Sequence, residues 1–135
     1  MGESRGLTGP GGSTDQTLRI AFIGELLLAI GSLIYSIATA GFGVFVLWTR
    51  ESQQEPAAAL FIGVLASAVA AVLLALAPVH LMAARKIKSR KSHTFCLVTA
   101  GIAVITPTCA PIGTIIGALL LFLLLKADVK KAFQD

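Results

Sequence analysis

The chain has 135 residues, of which 56% are hydrophobic and 13% charged, with a formal net charge of +4. Soluble domains carry about 25% charged residues, so this composition excludes an ordinary water-facing surface and calls for lipid around the apolar runs. The length fits about one domain. Two cysteines, Cys96 and Cys109, match neither a disulfide framework nor a zinc pattern and read as small apolar packing residues.

Residues 1–17 are rich in Gly, Ser and Thr and show no apolar period, which predicts a flexible polar tail. Gly6 stands where a myristoylation signal requires Ser or Thr. The first apolar run is Leu18 to Trp48, charged only at Arg19 and Glu25. It is longer than a hydrocarbon core of about 30 Å requires. It is also too long for a signal peptide, despite Ala38-Thr39-Ala40, and Glu25 interrupts it. Gly41-Phe42-Gly43 is expected to loosen its far end, and Trp48 suits a membrane interface.

A polar turn from Arg50 to Pro56 leads into the second run, Ala57 to Ala84. Gly63, Ser67, Ala71 and Ala75 stand four apart there, a small-residue stripe for close helix packing. Pro78 is a candidate kink, and His80 lies near the end. A basic turn follows, with Arg85, Lys86, Lys88, Arg90 and Lys91. Without aromatic interleaving it reads as a topology signal and an anionic-lipid contact, and not as a nucleic-acid groove.

The third run, Thr94 to Leu125, is interrupted by Pro107 and Pro111. Two prolines remove two backbone donors and push Thr106 and Ala110 from helical dihedrals. If the run crosses once, seven positive residues lie on the inner side and four outside. If it folds back, ten lie inside and only Arg50 outside, which the positive-inside rule favours. The expected fold is therefore an all-α, polytopic transmembrane helical bundle of four helical segments. The last two are short and joined at Pro107–Pro111, re-entrant or spanning a thinned bilayer. Three spans with a kinked last helix is the alternative. The membrane domain covers 18–126, with a short charged tail over 127–135, both termini cytoplasmic at an inner membrane.

Pro111-Ile112-Gly113-Thr114-Ile115-Ile116-Gly117, preceded by the basic turn and followed by a leucine-rich segment and Val129-Lys130-Lys131-Ala132-Phe133, forms a further motif. It resembles the C-terminal part of many small bacterial multi-pass membrane proteins with a P-x-G-T-x-x-G hairpin. The resemblance covers about the last 55 residues and implies topology and a bacterial envelope. It implies no activity. Those proteins often carry an aromatic after the second glycine, where this chain has Ala118-Leu119-Leu120.

Glu25 is the sharpest chemical feature, since a carboxylate at bilayer depth costs roughly 2.5–3.5 kcal/mol. It sits about 10 Å deep, and His80 on the antiparallel second helix about 6 Å deep, so the two can meet. Such a pair is a structural polar contact or a proton relay, and an intermolecular contact of Glu25 is the remaining alternative. Gly113 and Gly117 form G-x-x-x-G, suited to packing within the chain or to dimerisation. Tyr35, Phe42, Phe45 and Trp48 read as packing and interface anchors.

No catalytic constellation, phosphate-cradling loop or metal-ligand spacing appears, and no cofactor is expected. The expected function is a non-catalytic helix-packing or accessory membrane protein. Its partners are the lipid bilayer and a homo-oligomer or membrane-protein partner. The alternative is a small oligomeric proton- or ion-coupled transporter using Glu25. In size, helix count and a Glu in the first span, that alternative resembles small multidrug-resistance exporters.

Overall fold

A computed structural model describes residues 10–52, 54–106 and 111–134. Among these the chain is all-α, without strands, in five helices. They are α1 (Pro10–Thr49), α2 (Pro56–Lys88), α3 (His93–Ile105), α4 (Ile112–Leu124) and α5 (Ala127–Ala132). A 3-10 turn, Arg50–Ser52, follows α1.

Helices α1 and α2 are each long and apolar enough to cross a membrane. Only 33% and 28% of their most apolar stretches are buried within the chain. The core helix of a soluble protein would be mostly covered, so these helices carry their apolar surface outward.

The two form an antiparallel hairpin. Ala59, Gly63, Ala70, Leu73, His80, Ala83, Ala84 and Ile87 are buried on α2, and from Ala59 to Ile87 the buried face, with Ala83 beside Ala84, repeats on average about every 3.5 residues. Of the four-residue stripe, Gly63 is buried and Ser67 half-buried in this hairpin, while Ala71 and Ala75 are exposed. A helix has 3.6 residues per turn, so each step of four advances about 40° past a full turn. Two or three such steps carry the stripe off the interface.

Gly43 is likewise a packing residue and not a loosening one. A Cβ there would lie 2.9 Å from Ser67 Oγ and 3.1 Å from the Gly63 carbonyl oxygen. Helix α1 runs unbroken to Thr49, and α2 continues through Pro78.

The polar stretch before Leu18 differs from expectation. Residues 10–17 belong to α1, because proline suits a first helical turn and Thr17 Oγ1 donates back to the Ser13 carbonyl at 2.8 Å. The tail expected over 1–9 lies outside the described residues.

Helices α3 and α4 are separate and antiparallel. His93, opening α3, has Nε2 2.7 Å from the Leu124 carbonyl oxygen at the end of α4. Thr106 ends α3 with ψ 125°, the extended conformation a residue before proline is held to. The bend at 107–110, with Thr108, Cys109 and Ala110, lies outside the described residues. Each helix has 13 residues, about 20 Å at 1.5 Å per residue. This hairpin folds back, so a single kinked last helix is excluded, yet it is shorter than a hydrocarbon core of about 30 Å.

The expected C-terminal tail is also partly structured. In α5, Val129 and Ala132 are buried in the core with Leu18, and the Phe133 ring meets His93 edge-on at 5.2 Å. An apolar side chain every three or four residues suffices to dock even this short helix. Both ends of the described chain therefore lie beside the basic turn.

Candidate functional site

Glu25 lies on the buried face of α1, one turn beyond Ala21 and one before Leu28. Its neighbour Gly24 faces Leu120 of α4, whose Cδ2 would be 3.0 Å from an added Cβ. His80 lies on the buried face of α2. Nδ1 of His80 and Oε2 of Glu25 are hydrogen-bonded at 2.8 Å, and both side chains are 0% exposed. The depth count from sequence set these residues nearly level, and the antiparallel hairpin brings them into contact.

The other polar atoms of the pair are not satisfied. Glu25 Oε1 and His80 Nε2 are buried with no hydrogen-bond partner among the described residues, and so is Ser32 Oγ. Ser32 lies two turns past Glu25 on the same face of α1. Sequence reading missed it, although its seven-residue spacing from Glu25 is the signal for a shared face. One turn further, Ser36 is satisfied, its Oγ donating to the Ala70 carbonyl at 2.8 Å. Cys96 is buried, with Sγ 3.8 Å from the Ala83 carbonyl oxygen. Thr99 is buried too and donates to the Phe95 carbonyl at 2.8 Å.

A carboxyl and an imidazole 2.8 Å apart can hold one proton on either partner. Among the described residues no group of three His, Cys, Asp or Glu side chains is arranged to hold a metal ion.

The remaining candidate residues divide between two places. Gly113 and Gly117 are buried inside the chain. A Cβ on Gly117 would stand 2.9 Å from Val104 N and 3.0 Å from the Ala103 carbonyl carbon, so this glycine lets α4 approach the α3 backbone. Arg85, Lys88, Arg90 and Lys91 are exposed at the basic end. Lys86 is half-buried, with Nζ 4.5 Å above the Phe95 ring. Arg90 pairs with Asp15 of α1 at 2.5 Å.

No family model, curated protein or solved structure matches the chain.

Proposed function

We propose that the chain is a non-catalytic multi-pass protein of a bacterial inner membrane that packs its helices against a second membrane-embedded copy or partner. The observation carrying this reading is an uncovered apolar groove. The α3–α4 hairpin is too short to shield the far half of α1 and α2. Above it lies a groove of about 560 Å³, lined by Tyr35, Phe42, Leu65 and Val69 and ending at Thr106. A transmembrane partner helix of small and apolar residues fits such a surface.

Orientation follows from charge. Among the described residues nine of ten Lys and Arg lie at the end of the bundle that holds the basic turn, and Arg50 alone lies at the other. The positive-inside rule supports placing that end, with both termini, in the cytoplasm. The α3–α4 hairpin then enters from the cytoplasmic side as a re-entrant pair, with Thr106 at the end of α3 lining the same groove as Tyr35.

The test is disulfide crosslinking in native membranes of Val69→Cys, in a chain carrying Cys96→Ala and Cys109→Ala, together with size analysis in mild detergent. A crosslinked species is expected for this groove position. A monomer in detergent, with no crosslink and no copurifying protein, overturns the proposal.

The unsatisfied Glu25 Oε1 and His80 Nε2 support a second reading, a small oligomeric transporter coupled to protons or ions through Glu25. A buried polar atom without a partner costs about 1–3 kcal/mol, and a transported ion would offset that cost when bound. Proteoliposomes holding wild type and Glu25→Gln separate the two functions. A proton-coupled flux that Glu25→Gln abolishes supports transport, and absence of flux in both defeats it.

A further inference from the structure

The basic end holds a cleft of about 340 Å³ between α1 and α2. Its floor is apolar: Leu18 and Ile87 are buried and Phe22 half-buried. Its rim carries the cations of Arg19, Lys88 and Arg90 and the single carboxylate of Asp15. Asp15 engages Arg90 at 2.5 Å. Among the described residues no acidic side chain pairs with Arg19 or Lys88. The rim therefore keeps two uncompensated positive charges above a greasy floor, at the depth where the apolar runs begin.

The backbone adds an independent observation. Helix α2 ends in a Schellman motif: Lys91 N–H donates to the Lys86 carbonyl at 2.9 Å, and Arg90 N–H to the Ile87 carbonyl at 3.1 Å. Arg90 occupies the left-handed position with φ 53°. Glycine is the usual residue there because a side chain strains that conformation. Arginine at this position places a guanidinium on the rim despite the strain.

The geometry points to a specific site for the phosphate of an anionic phospholipid, gripped by Arg19, Lys88 and Arg90, with the first part of an acyl chain lying over Leu18, Phe22 and Ile87. The volume lies within the range of small-ligand pockets. Arginine forks match phosphate oxygens in pairs. A free phosphate shares the headgroup chemistry but makes no use of the apolar floor. The inference rests on the membrane placement proposed above.

The test uses the full chain, purified and delipidated in a nonionic detergent. Binding is followed by native mass spectrometry with phosphatidylglycerol, with phosphatidylcholine of the same acyl chains, and with inorganic phosphate as competitor. One saturable phosphatidylglycerol is expected per chain, with weaker phosphatidylcholine binding and no displacement by phosphate. Each of Arg19→Gln and Lys88→Gln should weaken binding about five-fold, as expected for one charge near a membrane surface. Arg90→Gly should weaken it similarly while relieving the left-handed backbone, so misfolding cannot explain its loss. Arg85→Gln and Lys91→Gln lie outside the cleft and should change binding little.

Equal losses from the two outside variants, equal binding of phosphatidylcholine, or displacement by phosphate would each overturn the site. Failure of the membrane placement shows separately, as a chain that stays dispersed in buffer without detergent.

Discussion

At Glu25 and His80, desolvation and hydrogen bonding oppose one another. Both side chains are fully buried, and a single 2.8 Å contact offsets only part of the cost of removing them from water. Replacing Glu25 by Leu leaves both imidazole nitrogens without a partner. That change should destabilise the protein by about 1–3 kcal/mol. Replacing both residues by Leu removes the orphaned groups together, so the double variant should be more stable than the sum of the single losses implies. The coupling, read from SDS-induced unfolding in micelles, should be at least about 0.5 kcal/mol, as for residues in direct contact. Additive single and double variants would mean that the contact contributes nothing to folding. The possibility of this contact was legible in the sequence, because two helix depths can be counted from charged boundaries. The unsatisfied Ser32 was not, since nothing local marks a serine whose hydroxyl finds no carbonyl.

Between helices, glycines set the spacing, and each can be judged by what a methyl group would meet. At Gly117 the obstacle is backbone of α3, at 2.9–3.0 Å, which cannot rotate aside. Gly117→Ala should therefore cost about 1–3 kcal/mol by overpacking. At Gly101, also within a helix, a Cβ would meet nothing within 4 Å. Gly101→Ala should stabilise by up to about 1 kcal/mol through helix propensity. Thermal unfolding of both variants in the same detergent checks the pair, and a destabilising Gly101→Ala would contradict the packing described. The small-residue stripe on α2 shows what a single helix leaves open at the element scale. A spacing of four looks like a face, but the partner helix selects the 3.5-residue average seen from Ala59 to Ile87.

For the molecule as a whole, the fold-back of the last apolar run brings α5 beside the start of α1. Two features produce it. Pro107 holds Thr106 extended, and Gly117 lets the returning helix settle on Ala103 and Val104. Reporter fusions active on only one side of the membrane should accordingly give the same answer at the N- and C-termini. Opposite answers would place α4 across the bilayer instead of beside α3. Interrupting the fold-back with Pro107→Leu and Pro111→Leu together should move the C-terminal reporter outward in part of the population, because a continuous apolar run of that length can span.

By itself the sequence determined the all-α class, the two long apolar helices and where the prolines and cations fall along the chain. These are one-dimensional properties: composition, run length, charge position and a fixed dihedral at proline, none of which needs a partner. Only the tertiary structure decided which side of each helix is inside, that residues 10–17 and 127–132 are helical, and that Glu25 meets His80 while Ser32 Oγ finds no hydrogen-bond partner among the described residues. It alone set Arg19 and Lys88 beside Arg90 over one apolar floor. Those outcomes depend on how a second helix is rotated and placed, and the free energy that fixes rotation comes from packing between segments distant in the chain.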